Sequence, residues 1–254
     1  MLELRNLVFE VPTSEGSNET KRIIDDLSLV IPDDSFTVIT GPNGGGKSTL
    51  AKLIMGIERA TSGQILLDGE DITSLGVTER AKRGIGFAFQ QPVRFKGIRV
   101  LDLIRIAAGR QLSVADACRY LSAVGLCARE YIDREVNASL SGGELKRIEI
   151  ATVIARSCAL AVFDEPEAGI DLWSFQNLIE VFRHMRETIQ GGSILIISHQ
   201  ERILNIADEI IVIRDGEIVA KGEKDAVLPS LIGTPEAVRR CEGGTIVEGE
   251  DALW

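Results

Sequence analysis

Nine residues between a predicted strand and a predicted helix have the composition of a phosphate-binding loop. They read GPNGGGKST over 41–49 and fit the pattern G-x-x-x-x-G-K-[ST], with Gly41, Gly46, Lys47 and Ser48 at the defining positions. Glycines let backbone N–H groups turn around a polyphosphate, and the helix that follows adds the positive end of its dipole. The lysine would contact the terminal phosphates, and the serine hydroxyl would bind Mg²⁺. The loop therefore predicts a site for a nucleoside triphosphate.

Two further groups of residues could do chemistry beside a bound phosphate. Asp164 and Glu165 follow an apolar run, and adjacent residues at a strand end point to different sides. One carboxylate could therefore face a metal while the other faces a water molecule next to the γ-phosphate. His199 follows a second apolar run and could hydrogen-bond to the same phosphate. The other histidine, His184, has charged neighbours and is expected to lie on the surface.

A glycine pair after a serine begins another predicted helix. Ser141 is a candidate N-cap, and the amides of Gly142 and Gly143 would expose the positive end of the helix dipole. Alone, this sequence predicts only a helix cap. Its place between the phosphate-binding loop and the Asp-Glu pair makes it more specific.

The elements that must position these residues alternate between strands and helices, as in an α/β domain. A strand over 36–40 enters the phosphate-binding loop and a helix over 48–57 leaves it. Helical spacing over 100–137 predicts a helical subdomain, with approximate bounds 90–157, inserted into a single domain over 1–254. The other predicted strands are 2–11, 23–31, 63–69, 85–89, 159–163, 193–197, 210–213 and 218–221, and the other helices are 73–83, 143–157, 171–188 and 201–206.

The composition is that of a globular protein with a full core. The chain has 254 residues, 44% of them apolar, and a formal charge of −10. No stretch approaches ~18 consecutive apolar residues, so we expect no transmembrane helix and no direct membrane insertion. The acidic balance argues against nucleic acid as a partner, because duplex-binding proteins carry a basic excess. The N-terminal residues lack the pattern of a secretory signal, which predicts a cytoplasmic location.

The four cysteines, Cys118, Cys127, Cys158 and Cys241, are scattered and include no C-x-x-C pair. This spacing does not indicate a metal or cluster site. We predict reduced thiols that are mostly buried.

Taken in order, these motifs resemble the nucleotide-binding domain of the ABC ATPase superfamily over essentially the whole chain. The resemblance implies a P-loop NTPase core sheet with an antiparallel β subdomain and an inserted α-helical subdomain. It also implies ATP and Mg²⁺ as cofactors, hydrolysis of ATP, and ATP-dependent homodimerisation in which two copies enclose two ATP molecules head to tail. Intact Glu165 and His199 disfavour a module that binds ATP without hydrolysing it.

The resemblance implies a role for each motif. Glu165 would polarise the attacking water, His199 would be the switch histidine, and Gln90 would sense the metal and the γ-phosphate in the Q-loop. Residues 167–171 would be the D-loop. The nucleotide would be held by Gly41, Pro42, Asn43, Gly44, Gly45, Gly46, Lys47, Ser48 and Thr49 of the Walker A loop and by Ser141, Gly142 and Gly143 of the signature motif, and the metal by Ser48, Gln90 and Asp164.

A finer resemblance is to the SufC family, the ATPases of SUF iron–sulfur cluster assembly. Residues 87–93 read FAFQQPV, residues 142–149 read GGELKRIE beside the GGEKKRNE of SufC, and residues 198–204 read SHQERIL. Leu145, Ile148 and a D-loop beginning Glu-Ala depart from that pattern. This resemblance implies a soluble SufB-like, or SufB/SufD-like, scaffold as partner. The alternative is the ATP-binding subunit of a membrane ABC transporter.

Two aromatic positions bear on ligand and partner. Val11 stands where many ABC domains carry an aromatic that stacks on adenine, and Phe9 is expected to pack in the sheet, so base stacking would be weak. Phe95, between Arg94 and Lys96, either anchors a partner helix or packs against the inserted helices.

Overall fold

Strands and helices alternate along the chain in the computed structural model, which describes residues 1–13, 19–137, 139–188 and 191–232. The strands are β1 (Leu2–Pro12), β2 (Thr20–Ile31), β3 (Phe36–Thr40), β4 (Ser62–Leu67), β5 (Glu70–Asp71), β6 (Ile85–Ala88), β7 (Leu160–Asp164), β8 (Ser193–Ile197), β9 (Glu209–Arg214) and β10 (Glu217–Glu223). The helices are α1 (Lys47–Met55), α2 (Val77–Lys82), α3 (Val100–Ala108), α4 (Val114–Ala123), α5 (Ala128–Tyr131), α6 (Gly142–Arg156), α7 (Leu172–Thr188), α8 (Glu201–Leu204) and α9 (Lys224–Ile232).

A six-stranded sheet positions the chemically active residues. Its spatial order is β10-β9-β3-β8-β7-β6, with β10 antiparallel to β9 and the other neighbours parallel. The carboxyl ends of parallel strands meet at one edge, where ligands of open α/β sheets bind. The phosphate-binding loop follows β3, Gln90 follows β6, Glu165 follows β7 and His199 follows β8. The sheet therefore brings these four motifs to one edge.

Both faces of this sheet are buried, which explains the uninterrupted apolar runs of its strands. In β7, Leu160 and Val162 lie in one apolar cluster, while Ala161 and Phe163 lie in another. The first cluster joins the core sheet to α1 and to a four-stranded antiparallel sheet of order β2-β1-β4-β5. The second joins it to the helices α3–α8. The predicted fold, a P-loop core sheet with an antiparallel β subdomain and a helical insertion, is confirmed.

The predicted helical insertion contains separate helices that pack on α6. Gly109 ends α3 with φ 64°, and Gly125 follows α4 with φ 69°, both in the left-handed region that favours glycine. Buried side chains of α3, α4 and α6 share one apolar cluster. The subdomain bounds 90–157 remain a prediction.

Three features differ from the sequence-based expectations. The helix predicted over 73–83 begins at Val77, because Thr73 is hydrogen-bonded to the neighbouring strands. Its N–H donates to Asp71 Oδ1, and its hydroxyl accepts from the N–H of Ile65, both at 2.8 Å. Helix α9, which contains Pro229, was not predicted. The expectation of mostly buried thiols is wrong for the described cysteines.

Among the described cysteines only Cys158 is buried; Cys118 is half-buried and Cys127 is exposed. The two more accessible thiols lie on α4 and at the N-cap of α5. Burial raises the pKa of Cys158 to about 11, which makes it an inert core residue. Cys241 lies outside the described residues.

A buried arginine caps the C-terminal end of α1. The side chain of Arg80 is 2% exposed, and its guanidinium donates to the carbonyl oxygens of Leu53 at 2.6 Å and Ile54 at 2.9 Å. It also donates to the carbonyls of Leu75 at 2.9 Å and Thr73 at 2.8 Å. A cation at a helix C-terminus complements the helix dipole. Arg80 therefore fixes the helix that begins in the phosphate-binding loop.

Replacing Arg80 with Met is expected to lower the free energy of unfolding by about 3 kcal/mol or more, because several buried carbonyls lose their donor. Urea denaturation measures the change. Arg83→Met is the control: this arginine forms an exposed ion pair with Glu70, worth less than about 1 kcal/mol. Equal effects of the two substitutions would contradict the structural role given to Arg80.

Candidate active site

The phosphate-binding loop lies against strands of both sheets. Gly41 has φ 135°, and a Cβ at this position would lie 2.0 Å from the carbonyl oxygen of Ile213. Gly46 has φ 101°, and its Cβ would lie 2.8 Å from the carbonyl oxygen of Ile23. Only glycine fits such close backbone approach at these angles. The loop is thus held by β9 and β2, with Pro42, Asn43 and Gly44 exposed at its lip and Gly45 buried beneath them.

The N-terminus of α1 is free to bind an anion. Gly46 is its N-cap without a side-chain cap, and the first turn contains no acidic residue. Lys47, only 6% exposed, donates from Nζ to the carbonyl oxygens of Gly41 at 2.7 Å and Pro42 at 2.9 Å. Burial lowers the pKa of Lys47, while the nearby carboxylates of Glu165 and Asp164 oppose that shift. The ammonium group and helix amides together form an anion site.

Oxygen ligands for a hard cation lie beside this anion site. The Ser48 hydroxyl donates to Asp164 Oδ1 at 3.0 Å, and Asp164 is 5% exposed. Burial raises the pKa of Asp164, with the nearby Glu165 carboxylate raising it further. In the described part of the chain no group of three or more His, Cys, Asp or Glu side chains could hold a metal by itself. A serine hydroxyl with one carboxylate suits Mg²⁺ that is also bound by phosphates and water.

Glu165 and Gln90 are in direct contact. Gln90 Nε2 donates to Glu165 Oε2, and the Glu165 N–H donates to the carbonyl of Ile197 on β8 at 2.9 Å. Glu165 has φ 43°, a left-handed conformation that costs a non-glycine residue about 1–3 kcal/mol and clusters at functional sites. The structure therefore joins two of the residues predicted to be catalytic, although they lie far apart in the sequence.

His199 lies exposed after β8, next to a hydrogen-bonded turn. The hydroxyl of Ser198 donates to Glu167 Oε1 at 2.5 Å and accepts from the Gln200 N–H at 3.0 Å. Burial raises the pKa of Glu167, and the His199 ring opposes the shift. Glu167 was predicted only as the start of the D-loop; its link to the residue before His199 depends on tertiary contact. His184 is exposed, as predicted.

The signature residues begin α6 as predicted. The Ser141 hydroxyl accepts from the Glu144 N–H at 3.3 Å, and Glu144 Oε2 accepts from the Ser141 N–H at 2.6 Å. This reciprocal pair is a capping box. Ser141 and Gly142 are exposed, and within the described ranges no hydrogen bond joins either residue, or Gly143, to residues 41–49. The signature is therefore not part of the chain's own phosphate-binding loop.

Phe9 and Val11, the two positions that bear on base stacking, both lie on β1. Phe9 pairs with Ile24 across β1 and β2 and packs half-buried against the apolar cluster of that sheet. Val11 pairs with Lys21 near the end of the strand. The expectation that Phe9 packs in the sheet is confirmed.

A phosphate-binding loop followed by a helix, at the carboxyl edge of a parallel sheet, defines a P-loop nucleotide-binding domain. The family model for "ABC transporter" matches residues 24–168. An uncharacterized ABC transporter ATP-binding protein of Methanocaldococcus jannaschii is 37% identical over 215 residues, which cover 82% of this chain and 85% of that protein. The probable ATP-dependent transporter ycf16 of Antithamnion sp. is 32% identical over 222 residues, covering 82% and 88%.

The chain thus belongs to the ABC transporter family of ATP-binding cassettes, and it is an ATPase of the ABC type. A solved dimeric cassette bound to ADP and phosphate has the same fold, with a TM-score of 0.78 at 22% identity, covering 88% of this chain and 99% of that one. In the described part of the chain, no helix has the length and apolar character needed to cross a membrane.

Proposed function

We propose that two copies of this chain bind two Mg-ATP molecules head to tail, and that binding and hydrolysis drive a conformational change in a partner protein. One observation carries the proposal. Ser48, Asp164, Glu165 and Gln90 meet beside the phosphate-binding loop, whereas the signature residues Ser141 and Gly142 are exposed and, in the described ranges, form no hydrogen bond to that loop. A site that needs both parts requires a second molecule.

Each side chain has a task that its position supports. Lys47 and the N-terminal amides of α1 would bind the phosphates. Ser48, Gln90 and Asp164 would hold Mg²⁺, which supplies positive charge to the β- and γ-phosphates. Glu165 would accept a hydrogen bond from the attacking water and orient it in line with the γ-phosphorus. His199 would donate a hydrogen bond to the γ-phosphate.

The Gln90–Glu165 contact ties the Q-loop to the residue proposed to orient the water. Gln90 Nε2 donates to Glu165 Oε2, which leaves the Gln90 amide oxygen for the metal and the other Glu165 oxygen for the water. A change in the position of Gln90 would therefore alter Glu165 and the metal site together. The Q-loop would then respond to nucleotide, and residues 90–97 would pass that response to the partner.

Dimerisation is supported by the exposed signature and by the solved relative of the same fold. That cassette is a dimer with the products of ATP hydrolysis, ADP and phosphate. The capping box of α6 leaves the Gly142 and Gly143 amides at an exposed helix N-terminus, where a second chain's γ-phosphate could bind.

For the partner, the comparisons favour the transporter alternative over the scaffold first predicted. The relatives include ATP-binding proteins of ABC transporters and the lipopolysaccharide export ATP-binding protein LptB of Haemophilus influenzae, at 29% identity over 216 residues. We therefore propose a membrane permease as partner, with the chain attached to the membrane through it. A SufB-like scaffold remains the second candidate, because the FAFQQPV and GGELKRIE segments resemble SufC.

Phe95 is the proposed anchor for either partner. Its side chain is 37% exposed and lies outside both apolar clusters, which does not support the alternative that it packs against the inserted helices. Arg94 and Lys96 beside it are exposed. The backbone is held by the Phe95 N–H, which donates to the carbonyl of Val136 at 2.9 Å. A fixed, exposed aromatic between two cations fits a partner helix with acidic flanks.

Phe95→Ala is expected to weaken partner binding by roughly 30-fold, since interface anchors contribute about 2 kcal/mol or more. Basal ATPase activity and thermal stability should remain near wild type. Affinity purification after crosslinking in native cells, from separate membrane and soluble fractions, measures partner recovery. Val219→Ala is the matched control, because Val219 is 51% exposed on β10 and far from the Q-loop in sequence.

Recovery of a permease with the wild type and its loss with Phe95→Ala would support the transporter function. Recovery of a soluble scaffold instead would support the second candidate. Equal recovery with both variants would contradict the anchoring role of Phe95.

A further inference from the structure

Two charged residues of α6 bind the backbone of the residue before Gln90. Lys146 Nζ donates to the carbonyl oxygen of Phe89, and the Phe89 N–H donates to Glu149 Oε1 at 3.1 Å. Lys146 and Glu149 lie one helical turn apart and form an ion pair with an N···O distance of 3.4 Å. Both polar backbone groups of Phe89 are therefore bonded to one ion pair on one helix.

This ion pair is buried. The side chain of Lys146 is 0% exposed and that of Glu149 is 13% exposed. Burial lowers the pKa of Lys146 and raises the pKa of Glu149, while Asp164 and Glu167 are further acidic groups that act on Lys146. Desolvation offsets most of the Coulomb attraction in such a pair, so a buried pair adds little net stability over apolar residues. The pair therefore contributes more to the position of the Phe89 backbone than to the stability of the fold.

The bonds to Phe89 hold the backbone at the start of the Q-loop. Strand β6 ends at Ala88, one residue before Phe89. After Phe89, the next backbone hydrogen bonds to a neighbouring element in the described structure are those of Phe95 to Val136 and of Gly97 to Glu135. The bonds from α6 to Phe89 are thus the anchor nearest to Gln90. The Phe89 ring adds an edge-on contact with Phe87, with centroids 4.7 Å apart.

We propose that Lys146 and Glu149 are positioning residues that set Gln90 relative to Glu165 and couple movement of the signature helix to the Q-loop. The same helix begins with the signature residues, and the paired charges lie at its fifth and eighth positions. A displacement of α6 by a second chain's nucleotide would therefore move the Phe89 peptide. This inference rests on the proposed function, because it presumes that Gln90 and the signature act on ATP.

The test is the double variant Lys146→Met with Glu149→Leu, which removes the bonds to Phe89 without leaving an unpaired buried charge. Its thermal stability should stay within about 5 °C of the wild type, because removing the buried ion pair offsets the loss of two backbone bonds at Phe89, a residue that water can reach. The KM for ATP should stay within about threefold, whereas kcat should fall roughly 10- to 100-fold, as for a small misplacement of a positioned group. Amide hydrogen exchange in peptides covering 88–91 should become faster, and exchange in α1 should not change.

Two further variants serve as controls: one removes the charge but keeps the hydrogen bonds to Phe89, and the other removes an ion pair elsewhere on the surface. Glu149→Gln keeps an oxygen acceptor for the Phe89 N–H, and Lys146 can donate to the Phe89 carbonyl even when neutral, so kcat should stay within about threefold. The matched control is Glu180→Leu with Arg183→Met, an exposed pair with the same spacing on α7, which should leave kcat unchanged. If the double variant does not fold, Lys146→Met with Glu149→Gln removes the donor to the Phe89 carbonyl, leaves no buried charge, and is expected to lower kcat in the same direction.

The inference would be overturned if the wild type is active and the double variant shows the same kcat and the same amide hydrogen exchange over 88–91. The proposed function would not be affected by that result. A wild-type chain without ATPase activity would instead contradict the proposed function on which it rests.

Discussion

Replacing Glu165 with Gln is expected to lower kcat for ATP hydrolysis by roughly 10²- to 10⁴-fold, the range for loss of a group that acts on the attacking water. The affinity for ATP should stay within about threefold, because the carboxylate does not bind the ground-state phosphates. The amide of Gln90 can still donate to the carboxamide oxygen at position 165, so the local structure should persist. Phosphate release under saturating Mg-ATP measures the loss.

Glu201→Gln is the control for this prediction. Glu201 is an exposed carboxylate in the first turn of α8, and its substitution should leave kcat within about twofold. If Glu165→Gln hydrolysed ATP at the wild-type rate, the residue would have no part in the chemical step.

Lys47→Ala is expected to weaken ATP binding by roughly 30- to 5,000-fold, which corresponds to the 2–5 kcal/mol lost when one member of a buried charge contact is removed. Lys47 is 6% exposed, and its Nζ donates to the carbonyl oxygens of Gly41 and Pro42, so the ammonium group is held within the loop proposed to bind the phosphates. Equilibrium binding of a fluorescent ATP analogue measures the change. Lys52→Ala, an exposed lysine on the same helix, should bind the analogue within about twofold of wild type. Unchanged affinity in Lys47→Ala would contradict the assignment of the phosphate site.

The sequence was sufficient for the sheet and for the motifs at its edge. Strands buried on both faces read as apolar runs, so β3, β7 and β8 could be predicted within a residue or two at each end. Chemistry-bearing residues follow those strands directly, and parallel pairing then brings them together. Ser141 could be predicted as a helix N-cap for a similar reason, because capping depends on residues a few positions apart.

What the sequence could not provide was contact between distant side chains. The bonds of Gln90 to Glu165 and of Lys146 and Glu149 to Phe89 join segments that are adjacent only after folding. Two charged residues at buried positions of α6 were the available signal. Both lie in the GGELKRIE segment, which resembles SufC, and that resemblance does not indicate that the two charges are buried.

Elements that depend on tertiary contacts were also missed or misplaced. The start of α2 is set by hydrogen bonds of Thr73 to β4, and α9 contains a proline that argues against a helix when the sequence is considered alone. The partner depends on surface complementarity with another chain. Similarity to ATP-binding proteins of transporters therefore favours a permease over a scaffold, whereas no residue pattern of this chain decides between the two.

The central claim is that the complete site needs two chains, and the mass of Glu165→Gln in Mg-ATP tests it most directly. Light scattering during size-exclusion chromatography should give close to twice the 27.6 kDa of one chain with Mg-ATP, and a single chain without nucleotide. Adding Gly142→Arg should abolish the dimer while ATP binding persists, because Gly142 is exposed and a Cβ there would meet no atom beyond its own helical turn within 4 Å. A Glu165→Gln chain that binds ATP yet stays monomeric would contradict the claim.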